Sequence, residues 1–203
     1  MTREDPKPGR PRDPETDRAI LRAALKLLTD RGYAGMSVEG VASRAGVGKT
    51  TIYRRYSSKV ELVAAALGAL RDDLGPLPDT GDIRSDIVEM ILQMRRALRQ
   101  GPGLGMIGAL LVEERRSPEL LELLRERVLR PRREEAIMAL QRGVDRGEIR
   151  ADVDLEVAVQ AMVGAVITRH IFGVTESRLR VEQTVDTIWN GLACTPESVR
   201  PAT

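Results

Sequence analysis

The chain has 203 residues, 42% of them hydrophobic and 31% charged, with a formal net charge of +2. That length supports a small domain and a larger one, each with its own core, and no stretch reaches the ~18 consecutive apolar residues of a membrane span. A single Cys194 and a single His170 exclude an internal disulfide and a Cys/His metal site, so the expectation is a soluble, cytoplasmic protein with no metal, no cofactor and no membrane partner.

Residues 1–13 carry Gly9-Arg10-Pro11-Arg12 among several prolines and have no apolar run, which predicts a disordered basic arm. Its arginines either stay in solvent or enter a DNA minor groove; Arg10 and Arg12 are the candidates. A first helix is predicted from Pro14 to Arg31, capped by Asp13 or Thr16. Ile20, Leu21, Ala24, Leu27 and Leu28 form its apolar stripe, and Gly32 stops it. Ser37 then caps a short helix whose Val38, Val41 and Ala42 share a face, and Gly46 supplies the left-handed residue that ends it.

After this turn, Val47 and Ile52 fill the space between two crossing helices. Ile52 and Tyr56, four residues apart, face the core. Lys49, Thr50, Thr51, Arg54 and Arg55 are left facing outward with Tyr53 at the edge, and no acid intervenes between Lys49 and Lys59. Cations neutralise phosphates, while hydroxyls donate to phosphate oxygens or meet base edges. The pattern is that of a helix-turn-helix DNA reader. Charge runs the same way: residues 1–60 hold 13 Lys+Arg against 7 Asp+Glu, and the rest hold 19 against 23. A basic leading segment on a mildly acidic body suits contact with DNA at one end only.

Residues 15–65 resemble the DNA-binding domain of the tetracycline-repressor (TetR/AcrR) family of bacterial transcription regulators. The resemblance rests on Arg31-Gly32-Tyr33, Met36-Ser37-Val38, Val41-Ala42, Ala45-Gly46-Val47, Thr51-Ile52-Tyr53 and Ser58-Lys59 before an apolar run. It implies a helix-turn-helix domain over residues 14–60, with Lys49, Thr50, Thr51, Tyr53, Arg54 and Arg55 approaching the major groove. Within that set it implies Thr50 and Arg54 at base edges and Tyr53 with Lys59 on phosphates. Ser37 would add a backbone contact. Gly48 departs from the serine common in the family, which leaves the cap of the reading helix without a side chain.

A fourth helix is predicted over about Lys59–Leu74, and residues 75–81 break regular structure with two prolines and two glycines. Five helical segments follow: Asp82–Gln100, Leu104–Arg116, Pro118–Arg146 with a kink or break near Pro131, Asp154–Phe172 and Ser177–Leu192. The fold class is therefore all-α: an N-terminal three-helix helix-turn-helix domain followed by a larger helical bundle for ligand binding and dimerisation. The bundle is expected to span residues 61–195, with residues 196–203 as a disordered tail.

Family resemblance implies a homodimer through the last two long helices, with Ala158, Ala161, Ala165, Val181, Val185 and Ile188 as candidates; the same faces could instead cover the monomer core. It also implies an effector pocket within the bundle. Met90, Met94, Met106, Leu110, Met138 and Met162 are the apolar candidates, and His170 and Trp189 the polar points. Their other reading is gap-filling core.

No catalytic constellation is present: Gly46-Val47-Gly48-Lys49-Thr50 lacks the first glycine of a phosphate loop, and no strand precedes it. Acid pairs such as Glu113-Glu114 read as solvated surface. The expected function is a sequence-specific regulator, acting as a homodimeric repressor that a small apolar or amphipathic effector releases from a palindromic double-stranded operator. A ligand-independent architectural DNA-binding protein and a small helical enzyme are the alternatives.

Overall fold

Asp13 opens the first helix in a computed structural model that describes residues 13–174 and 177–192. Its carboxylate accepts the Glu15 N–H at 3.1 Å and the Thr16 hydroxyl at 2.5 Å, so Asp13 is the cap and Thr16 its partner. Helix α1 runs Pro14–Gly35 and is interrupted at Gly32, whose φ of 66° lies outside the helical region. Gly32 thus interrupts the helix where a stop was expected, and one further turn carries the chain to Met36.

Helix α2 spans Val38–Ala45. Ser37 Oγ accepts the Gly40 N–H at 3.0 Å, and Gly46 closes the helix at φ 68°, ψ 29°. Helix α3 is only Lys49–Tyr53. Helix α4, Lys59–Asp73, is capped by Ser58 through the Glu61 N–H.

Beyond the break lie α5 (Ile83–Gln100), α6 (Gly103–Glu113), α7 (Pro118–Leu124), α8 (Arg130–Asp145), α9 (Leu155–Ile171) and α10 (Arg178–Leu192). Asp82 caps α5 and Asp154 caps α9 with their carboxylates. Ser117 occupies the N-cap of α7, but its side chain makes no cap bond there.

The kink expected near Pro131 takes the form of a π-helical turn. Proline offers no N–H, and residues Arg125–Leu129 just before it widen, so that the Arg130 N–H reaches back to the Arg125 carbonyl. The chain stays helical from α7 through this turn into α8.

Two cores organise these helices. The first contains Ile20 and Leu28 of α1, Val41 of α2, Ile52 of α3 and Leu62 and Leu67 of α4, and it continues into Met106 and Leu110 of α6 and Leu120 and Leu124 of α7. The reading head is therefore packed directly onto α6 and α7. The second core joins Ile83, Ile87 and Ile91 of α5 to Leu140 of α8, Val159 and Met162 of α9, and Val181 and Val185 of α10. Glu113, expected on the solvated surface, is 8% exposed at the end of α6. Glu113 is on the side of α6 turned inward, while its neighbours Leu111 and Val112 stay exposed.

Gly143 of α8 is fitted against α5. A β-carbon there would lie 2.9 Å from Ile83 Cγ1 and 3.0 Å from Ile149 Cδ1. Gly143→Leu is expected to destabilise the chain by about 1–3 kcal/mol through overpacking, read as a lower urea midpoint with an unchanged slope. An unchanged midpoint would contradict this packing.

The break itself is held from the bundle. Gln93 Nε2 donates to the Leu74 carbonyl at 2.6 Å and to the Pro76 carbonyl at 3.1 Å. Arg132 of α8 donates to the Gly75 carbonyl at 2.7 Å and to Gln93 Oε1 at 2.8 Å. Buried Asp86 accepts the Thr80 N–H and hydroxyl at 2.8 and 2.7 Å. These bonds satisfy loop carbonyls and amides that helices cannot, and they fix the end of α4 relative to α5 and α8.

Candidate nucleic-acid interface

The reading element is built from a five-residue helix, so its side chains are positioned by its neighbours more than by its own ladder. Ile52, 1% exposed, anchors it in the first core. Gly48 occupies the N-cap in an extended conformation, φ −72° and ψ 144°, without a side-chain bond. Lys49, Thr50, Tyr53 and Arg54 are exposed, whereas Thr51, expected outward with them, is half-buried. Ser37 is exposed too, and its hydroxyl oxygen is already engaged as the cap of α2.

Three predicted contact residues differ from the simple outward picture. Arg55 was expected outward but lies beyond the end of α3, where the Arg55 and Tyr56 N–H groups both fold back on the Ile52 carbonyl. That turn drives its guanidinium inward onto Asp17 of α1 at 2.6 Å, with 11% of the side chain exposed. Arg55 braces the head against α1.

Lys49 is ion-paired to Glu39 of α2 and stands 5.5 Å from the Tyr53 ring centre. The hydrogen bond to Glu39 raises the Lys49 ammonium and lowers the Glu39 carboxyl from their ordinary ranges. Lys59 is half-buried with its ammonium 4.0 Å over the Tyr33 ring, and burial pushes its pKa down, partly opposed by Glu113. Asp17 and Glu39, which set these arrangements, were not among the sequence candidates. Neither carries a local signal, because each acts on a residue at least ten positions away. Arg10 and Arg12 lie outside the described residues.

Gly48 has room for a side chain, since a β-carbon would meet only Thr50 Oγ1 at 3.7 Å and Thr51 Oγ1 at 3.9 Å. Gly48→Ser should stabilise the head by a few tenths of a kcal/mol by capping α3. Chemical denaturation checks this, and a lower midpoint would show the backbone there to be less permissive than its angles indicate.

The residues expected to form one effector pocket are not brought together. Met106 and Leu110 are buried in the first core, whereas Met90, Met94, Met162 and Trp189 belong to the second. Met138 is 58% exposed, because Ala136, Ala139, Leu140 and Gly143 take the buried face of α8. His170 lines a small recess of about 240 Å³ with Arg95, Leu98 and Val166.

The dimer candidates need a similar correction. Ala158, Val181 and Val185 are buried inside the chain, and Ile188 packs half-buried on the same core. The apolar stripe of each helix is the one the monomer itself must bury. Ala161 is exposed and Ala165 half-buried; the outward face of α9 runs Val157, Ala161, Gly164 and Thr168.

Residues 20–66 match the family of bacterial regulatory proteins of the tetR type, and residues 77–188 match the tetracyclin repressor-like C-terminal domain. The chain belongs to the TetR family. This TetR-family chain is a DNA-binding transcriptional regulator and not an enzyme.

Its relatives include the uncharacterized HTH-type transcriptional regulator YdeS of Bacillus subtilis, 36% identical over 166 residues that span 80% of this chain and 82% of YdeS. The DNA-binding transcriptional repressor TetR of Mycobacteroides abscessus is 32% identical over 157 residues, 75% of this chain and 80% of the relative. Among solved structures, the TetR family transcription regulator SCO0332 aligns with a TM-score of 0.65 at 28% identity, covering 89% of this chain and 100% of that one. The flavonoid-responsive regulator FrrA shares the fold at a TM-score of 0.69 and 19% identity, over 89% and 98% of the two chains. Among the described residues, no helix is long and apolar enough to cross a membrane and no group of three or more His, Cys, Asp or Glu gathers as metal ligands.

Proposed function

We propose that this TetR-family regulator is a homodimeric repressor that occupies a palindromic operator and leaves it when a small apolar or amphipathic effector binds. The observation that carries this reading is the exposed run Lys49, Thr50, Tyr53 and Arg54 on a helix anchored by buried Ile52. In the proposal Thr50 and Arg54 meet base edges, and Lys49, Thr51 and Tyr53 contact phosphates or neighbouring edges. Ser37 supports the backbone contact. Lys49 exchanges Glu39 for a phosphate, while Arg55 and Lys59 hold the head in shape.

Residues 14–60 are assigned to reading and 61–195 to effector response and pairing. A head with so short a reading helix gains specificity when two copies meet half-sites about 34 Å apart. Pairing through the outward faces of α9 and α10 supplies that spacing. A relative 32% identical is a DNA-binding transcriptional repressor, which favours repression.

A footprint on the DNA upstream of the protein's own coding region, in the presence of excess competitor DNA, tests the proposal. Protection of a short two-fold symmetric sequence, together with raised expression when the protein is removed from cells, is the expected result. Uniform binding without sequence preference would replace this reading with an architectural one, and lowered expression would make the regulator an activator.

A further inference from the structure

A cleft of about 680 Å³ lies where the reading head meets the bundle, between α1, α4, α5 and the turn into α6. That volume is in the range of small-molecule sites. Leu70 of α4, Leu74 just after it and Ala97 of α5 give it a half-buried apolar floor, and Arg22, Lys26 and Arg96 stand around it. Asp73 supplies the carboxylate among the described lining residues, so cations outnumber acids three to one. Arg22 engages the Arg18 carbonyl through Nε at 3.3 Å, and Lys26 pairs with Asp30 at the exposed surface at 2.7 Å. Arg96 is exposed and meets no carboxylate among the described residues.

We propose that this cleft binds a small amphipathic anion, with its apolar body on Leu70, Leu74 and Ala97 and its carboxylate between Arg22 and Arg96. Charge complementarity selects the head group, because guanidinium forks pair with carboxylates in parallel hydrogen bonds. The inference rests on the regulator reading for its consequence, namely that this ligand is the effector.

The position of the cleft supplies the coupling. Its α1 wall carries Asp17, which holds Arg55 behind the reading helix, and its α4 wall begins at Ser58, five residues after Tyr53. Its α5 wall belongs to the second core and bears Gln93, bonded to the Leu74 and Pro76 carbonyls. A ligand seated there touches the head and the bundle at once. It shifts the angle between them to the extent that it binds one arrangement better than the other.

The test uses the full chain and three ten-carbon probes, decanoate and decylamine below their micelle concentrations and decanol below its solubility limit, followed by isothermal titration. Decanoate is expected to bind once per chain and at least about 10-fold more tightly than the other two. The R22A/R96A double variant should weaken decanoate at least about 10-fold, whereas R115A/R116A, which removes equal charge away from the cleft, should not. Saturating decanoate should weaken binding to the upstream DNA by about 10-fold or more in the parent and not in R22A/R96A. Equal binding of the three probes, no binding of decanoate, or undiminished binding by R22A/R96A overturns the site. Charge-selective binding that leaves DNA affinity unchanged overturns the effector role. If decanoate does not bind while the upstream footprint is intact, the cleft fails and the regulator stands; if decanoate binds selectively and no DNA is protected, the cleft stands and the regulator fails.

Discussion

Replacing Arg54 with alanine is expected to weaken binding to a specific operator fragment by about 10- to 100-fold per half-site, while leaving stability within about 0.5 kcal/mol of the parent. Arg54 caps the C-terminus of the reading helix through its backbone, and its side chain is exposed with no carboxylate partner among the described residues. Nothing in the fold depends on its guanidinium, so its loss should appear in DNA affinity alone.

Arg55, its neighbour, makes the control. Arg55→Ala removes the counter-charge of Asp17 in a contact only 11% and 30% exposed on its two sides. A partly buried pair loses more than a surface one when one member is removed, which sets the stability cost at about 1–2 kcal/mol. Fluorescence anisotropy at one fixed salt concentration and urea melts of both variants separate the roles. Parent-like DNA affinity in Arg54→Ala would remove the central contact from the proposed interface.

In the proposed dimer, Gly164→Leu is expected to separate the two copies and to reduce operator affinity by about 100-fold or more, since one half-site then has to hold by itself. A glycine inside a helix is about 1 kcal/mol less favourable than alanine. A β-carbon at Gly164 would meet nothing within 4 Å, so no contact inside the chain calls for its absence. The residue lies on the outward α9 face with Val157, Ala161 and Thr168, where small side chains let a second helix approach closely.

The same end of the molecule exposes Ile171 at 68% and Phe172 at 76%, with Leu179 of α10 at 63%. Covering such groups favours association. Gly164→Leu should leave the monomer fold intact and act only on pairing. Light scattering behind size exclusion reads the outcome, and a variant that stays dimeric at micromolar concentration would move the pairing surface elsewhere.

Much of the fold was legible along the chain because helix ends are local events. Ser37, Ser58, Asp82 and Asp154 cap the amide two or three residues ahead, and Gly46 takes the left-handed region just where α2 stops. The outward run from Lys49 to Arg54 was legible for the same reason, since burial of Ile52 fixes the faces of a helix this short. Periodicity separated core from surface less well on α9 and α10. Of the pairing candidates it marked on α9 and α10, Ala158, Val181 and Val185 belong to the chain's own core, whereas Ala161 stands on the outward face beside Gly164. The methionines were misleading in a related way, because apolar character identifies a residue that can be buried without saying in which core.

The sequence by itself determined the all-α course, the turn before the reading helix and the hydroxyl and cationic groups displayed on it, because each depends on residues a few positions apart. Tertiary structure alone decided that Arg55 turns inward to Asp17, 38 positions earlier, and that Arg84 reaches Asp186, 102 positions away. It also decided that α1, α4 and α5 enclose the cationic cleft. Such contacts arise only when separate helices pack, and packing depends on how whole faces fit together, which no local run of residues encodes.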